Sequence, residues 1–287
     1  KNYGLTFSGN VGFNKNKVKS LGSLTQYSAS SGWASTQIQD DYIVKPGHSV
    51  GEIYGYISDG RYEVSDFEDY YATGEKWVLK EGVVNNSSVI GTSYLRPGAL
   101  KLKNMNDDNV IDAKDRTVIG NTNPKASGGF SLSGRVYGFD LVANFYASIG
   151  NDLVNQNIQE LYNAAGSGGK VNKVSGLLDM AWHGEGTSNY VPRLSTQDHN
   201  ENFTKFSSFY IEDGSYLRLK NLQLGYTFKK IPGVNKLRLY IAGQNLFTLT
   251  GYNGVEPEVS GSVLSFGFGG WTYPVQRIYS VGVNVTF

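Results

Sequence analysis

Strict alternation is the clearest signal in the chain. Tyr279, Val281, Val283, Val285 and Phe287 fall on one side of an extended backbone, and Ser280, Gly282, Asn284 and Thr286 fall on the other. Successive side chains of a strand point to opposite faces, so this period predicts a strand with one apolar and one polar face. Near the start, Tyr3, Leu5, Phe7, Val11 and Phe13 alternate with Gly4, Thr6, Ser8, Asn10, Gly12 and Asn14. In the middle, Phe130, Leu132, Gly134 and Val136 lead through a short Gly138-Phe139-Asp140 connection into Leu141, Ala143, Phe145, Ala147 and Ile149, which predicts a tight hairpin. A second hairpin has Leu222, Leu224, Tyr226 and Phe228 going in, a turn through Pro232 and Gly233, and Leu237, Leu239 and Ile241 coming out. Residues 50–62 also read as extended.

The connections are lopsided. Residues 138–140 and 229–235 make short links, whereas 151–213 and 249–274 are long, polar and rich in Gly, Asn and Ser. Short turns at one end and long loops at the other are the habit of outer-membrane barrels. Soluble sandwiches more usually have short loops at both ends. Within the first long loop, residues 152–165 and 174–182 have helical spacing and are expected to form short helices.

The polar positions are Ser, Gly, Asn, Thr and Tyr with few charges, which suits the inside of a large barrel better than the Lys- and Glu-covered outside of a soluble one. Aromatic residues at strand ends (Tyr3, Phe13, Tyr137, Phe228, Phe247, Tyr279 and Phe287) match an interfacial girdle. These features predict an all-β fold: about seven or eight antiparallel transmembrane strands of a larger barrel, with long extracellular loops. An ordinary all-β core is the alternative. Roughly ten alternating residues suffice for such a strand, and the mean hydropathy of −0.33 agrees; no run approaches the roughly 20 apolar residues of a membrane helix.

Composition narrows the function classes. A net charge of +1 with 18% charged residues argues against a basic nucleic-acid binder. The absence of Cys excludes disulfide scaffolds, Cys-ligated zinc and thiol catalysis. The chain begins at Lys1 without the charged and apolar regions of a signal peptide, as expected of a mature protein or a piece of a longer one.

Three segments together resemble the SusC/RagA family of TonB-dependent outer-membrane transporters. The first is Ile211-Glu212-Asp213-Gly214-Ser215-Tyr216-Leu217-Arg218-Leu219-Lys220-Asn221, continuing to Tyr226. The second runs from Gln244-Asn245-Leu246-Phe247-Thr248 to Glu256-Pro257-Glu258, with Glu256 where the family more often has Asp. The third is Tyr273-Pro274, Arg277 and the strand ending Gly282-Val283-Asn284-Val285-Thr286-Phe287. Upstream, Pro97-Gly98-Ala99-Leu100-Lys101, Asn104 to Arg116, Ile119-Gly120-Asn121 and Pro124 extend the likeness, as does Asn14-Lys15-Asn16-Lys17-Val18.

The resemblance implies a barrel of about 22 strands around an N-terminal plug. It also implies a SusD-like surface lipoprotein over the extracellular mouth, energy from the TonB system, and TonB-dependent import of an oligosaccharide or peptide. Residues 1–287 would then be the C-terminal portion of a single β-barrel domain, surrounded by outer-membrane lipid and completed by the plug and early strands of the same transporter. A soluble or surface-attached β-sandwich binding glycans is the competing reading, and a small self-contained barrel acting as an adhesin or hydrolase is a third.

Candidate chemistry is sparse. Asn104, Asn106, Asp108, Asp112 and Asp115 take positions 1, 3, 5, 9 and 12 of an EF-hand-like loop, and Val110 could offer its carbonyl at position 7. Asn109 stands where positive φ is wanted. The pattern allows bound Ca²⁺, and it equally allows an Asx-rich turn. His48, His183 and His199 lack i, i+4 pairing. Gly166 to Lys170 lacks the Ser/Thr of a phosphate loop. No nucleophile elbow or paired carboxylates point to an enzyme. The long loops carry Trp182, Tyr190, Tyr252, Phe266, Phe268 and Trp271, whose rings could stack on sugars or peptide side chains or pack the loops together.

Overall fold

The computed structural model describes residues 3–33, 40–71, 76–90, 95–166, 170–197, 202–203, 205–229, 231–261, 267–270 and 273–287. The alternating segments form six long strands: β1 (Tyr3–Gly12), β2 (Ala126–Val136), β3 (Phe139–Ile149), β4 (Tyr216–Phe228), β5 (Lys236–Gln244) and β6 (Ile278–Thr286). They pair antiparallel in sequence order within one sheet, and Thr248–Thr250 adds a short seventh strand against β4.

Register keeps each face chemically uniform. Phe7 faces Leu132, Leu132 faces Ala143, and Ala143 faces Leu222. Farther along, Leu224 faces Ile241 and Ile241 faces Val281. A bulge at Lys220 between β3 and β4 re-phases the strand so that Leu219 and Leu222 both stay on the apolar side. Val281 is 80% exposed, and Val283 and Val285 are also exposed. Among the described residues, no second sheet or helix covers them, which contradicts a β-sandwich. One turn is tighter than expected: Tyr137 and Gly138 alone connect β2 to β3, both with positive φ, as a two-residue primed turn requires.

All long connections leave from one end of the sheet: residues 13–125, 150–215 and 245–277. The first of these was not evident as a single excursion. Together they build a lobe with its own apolar core, including Tyr42, Ile53, Val154, Val191, Phe206 and Tyr210. Short strands staple the loops together. The first loop contributes a four-stranded sheet of Tyr27–Ala29, Tyr42–Val44, Glu52–Gly55 and Thr117–Asn121. In another, Asp152–Asn155 lies between Ile211–Asp213 and Phe268–Gly269. The helix expected over 152–165 is thus a strand followed by one helical turn, Ile158–Leu161, because the edge of Ile211–Asp213 is there to pair with. The helix expected over 174–182 is the single turn Leu177–Met180.

Candidate functional site

The polar face of the sheet meets the lobe at the loop end, and there the side chains cease to be neutral. Arg218, on the polar side of β4, is 2% exposed. Its guanidinium donates to Thr248 Oγ1 at 2.8 Å, to Glu258 Oε2 at 2.7 Å and to Glu256 Oε1. Lys220 Nζ shares Glu258 Oε2 at 2.6 Å. Glu256 is buried and accepts the backbone N–H of Glu258 at 2.9 Å and of Val275 at 3.4 Å. Separately, Glu212 holds the same loop, accepting from Asn155 Nδ2 at 2.8 Å and the N–H of Asn253 at 2.7 Å. A buried guanidinium needs carboxylate partners and filled hydrogen bonds to be tolerated. Here those partners come from the last long loop, which is thereby clamped to the wall. This clamp was missed in the sequence, although Arg218 and both glutamates lie in two of the segments that carry the family likeness.

Farther along the same face, Tyr146 and Tyr216 stand 6.1 Å apart, with Arg218 over the Tyr216 ring and Lys220 over Tyr146. Toward the short-turn end, Arg238 donates to both oxygens of Asp140, at 2.9 and 2.5 Å. The polar face therefore offers hydroxyls, amides and internally neutralised charges rather than a field of one sign.

The loop aromatics divide. Trp182 is 7% exposed and donates its Nε1–H to Glu63 at 2.9 Å, with Gly98 pressed against its ring. Tyr252 is 6% exposed, and burial raises its phenol above the ordinary range. Both rings are packed inside the lobe. Tyr190 remains 43% exposed beside Tyr162 and Phe209. Phe268 has its backbone in the strand Phe268–Gly269; Phe266 and Trp271 lie outside the described residues, as does His199.

The 104–115 loop has the backbone its sequence demands: Asn109 has φ of 59° and Asp107 of 60°. Its oxygens mostly serve the loop itself. Asp115, fully buried, accepts from the N–H of Met105 at 2.7 Å and of Asp112 at 2.8 Å. Asn104 accepts from the N–H of Asn106, Asp108 from Asn106 Nδ2 and the N–H of Val110, and Asp112 from the N–H of Lys114. This is a chain of Asx turns. The lobe also holds Arg61, 3% exposed, whose guanidinium donates to the Gly60 and Tyr190 carbonyls. Burial pulls it down to about 9, still charged at neutral pH.

No family model matches the chain. Among curated proteins, TonB-dependent receptor P3 of Formosa agariphila is 30% identical over 256 residues, covering 85% of this chain and 23% of the relative. TonB-dependent receptor SusC of Bacteroides thetaiotaomicron is 31% identical over 87 residues, 28% of this chain and 8% of SusC. The chain thus spans about a quarter, at most, of these relatives' length. The solved RagAB peptide transporter superimposes on all of this chain, and on 27% of its own, with a TM-score of 0.70 at 21% identity. The RagAB peptide importer in a closed-closed state gives 0.68 at 22% identity, again over all of this chain and 28% of that one. The bare apolar face, the polar opposite face and the one-sided loops are therefore explained together: the chain belongs to the family of TonB-dependent outer-membrane receptors that includes SusC, and its sheet is a stretch of that family's β-barrel wall.

Proposed function

We propose that this chain forms part of the wall and extracellular mouth of a transporter that imports oligosaccharides or peptides by TonB-dependent action, with a SusD-like lipoprotein over the loops. The plug and the remaining strands would come from the rest of the same transporter. The observation that carries this reading is the Arg218–Glu256–Glu258 clamp, which fixes a long loop over the polar face and leaves that face lined with hydroxyls, amides and tyrosines suited to a hydrated polymer. The peptide arm draws on the RagAB likeness.

The test is uptake in cells. Deleting the gene should abolish accumulation of fluorescent oligopeptides or oligosaccharides of defined composition, and loss of TonB or of the proton gradient should do the same. Uptake that persists without TonB contradicts active import. Soluble, detergent-free behaviour of the protein would favour a binding module instead.

A further inference from the structure

The outward face is not uniformly bulky. On β1 to β3, Gly9, Ala126, Gly128 and Ala147 fall on the apolar side among Phe7, Val11, Phe130 and Ile149. The missing side chains leave an apolar groove of about 410 Å³. Gly128 cannot be larger, since a Cβ there would lie 2.2 Å from the Asn10 carbonyl oxygen; Gly9 could, its nearest neighbour being 3.5 Å away.

The groove runs to Ala126 and Ile149, the last pair of β2 and β3. Directly beyond, Pro124 and Lys125 line a second cavity of about 690 Å³ together with Phe13, Lys15 and Lys17. That cavity is polar and cationic. Among the described residues Glu52 is the one carboxylate of its lining, and its charge is already engaged by His48 Nδ1 at 3.0 Å and the Ser49 N–H at 3.3 Å. Lys125 also acts on Asp152 and Asp213, so Lys15 and Lys17 carry most of the excess positive charge.

We propose that groove and cavity together form a site for one anionic membrane lipid, with an acyl chain along Gly9 and Gly128 and a phosphate-bearing headgroup among Lys15, Lys17 and Lys125. The order of surfaces along the strand, apolar trough, then Phe13, then lysines, is the order of an amphiphile crossing from hydrocarbon to headgroup. The occupant is a lipid and not a free anion because the lysine-lined cavity begins at Phe13 and Lys125, which follow directly along the chain from Val11 and Ala126 of the apolar groove. This inference rests on the outward orientation of the apolar face and is independent of the import reading.

The intact outer-membrane protein carrying these residues, in mild detergent, is titrated with lipid A, phosphatidylcholine or glucosamine phosphate and followed by native mass spectrometry. Lipid A should be retained over phosphatidylcholine, and glucosamine phosphate should not compete. Replacing Lys15, Lys17 and Lys125 together by Gln should weaken lipid A retention about a hundredfold at low salt. Gly9→Leu fills the trough, leaves every lysine in place, and should also weaken it. Unchanged retention in either variant, equal retention of phosphatidylcholine, or competition by glucosamine phosphate would overturn the proposal.

Discussion

Replacing Glu256 by Gln tests the clamp that joins loop to wall. Arg218 is buried, and Glu256 supplies one of its two carboxylates. Removing one partner of a buried pair costs about 3–5 kcal/mol when the remaining charge is stranded. Arg218 is not wholly stranded, because Glu258 stays at 2.7 Å and is partly solvated, and the Gln oxygen still accepts the Glu258 N–H. We therefore expect about 2–3 kcal/mol, spent on loosening the loop rather than unfolding the wall. That free energy corresponds to a rise of about 30- to 150-fold in the open population. Hydrogen exchange at Glu258 and Val275, whose N–H groups both donate to Glu256, should accelerate by that factor. Amides of β2 and β3 should keep their protection. The Arg218→Met, Glu256→Met double variant should lose less than the two single variants summed, because neither charge is then left alone. Additive losses, or exchange at Glu258 and Val275 indistinguishable from the unaltered protein, would refute the clamp.

Other outcomes follow from the same geometry. Val283→Arg, on the bare face in the middle of β6, should destabilise the barrel in vesicles by about 2–4 kcal/mol by urea unfolding, whereas Ser280→Asn should change it little. The phenols of Tyr42 and Tyr62 are held above the ordinary value near 10 by burial. A folded-state pKa raised above the unfolded one means stability is intact below pH 10 and lost as pH climbs toward the folded value. These phenols should ionise, by ultraviolet absorbance, only as lobe near-ultraviolet dichroism collapses; ionisation at pH 10 with dichroism intact contradicts the assignment. Gly98→Ala combines a φ of 81° with a Cβ 2.4 Å from the Trp182 ring. It should cost about 1–3 kcal/mol and lower the melting temperature read by lobe tryptophan fluorescence.

What the sequence made legible was the wall. Period two at Tyr279–Phe287 and 130–149 is a local property, and the face it implies survives in every observed pairing. The lobe was less legible because its core is assembled from distant residues: Tyr42 and Tyr210, far apart in the chain, belong to one buried cluster. Loop aromatics look exposed when read one at a time, yet Trp182 and Tyr252 lie inside. The Arg218–Glu256 pair spans 38 positions, and no local pattern announces it. Its only trace was that two of the family-like segments carry charges, Arg218 on a strand and Glu256 and Glu258 in a loop.

The central claim is that alternate side chains of these strands meet hydrocarbon. These 287 residues contain no Cys, and in the membrane-embedded protein, with any cysteines elsewhere replaced, single cysteines placed from 279 to 285 are spin-labelled. Oxygen, concentrated in lipid, should broaden the signal at 279, 281, 283 and 285, and a water-soluble nickel chelate should act at 280, 282 and 284. Equal accessibility to both agents along the strand, or the opposite phase, would contradict the account.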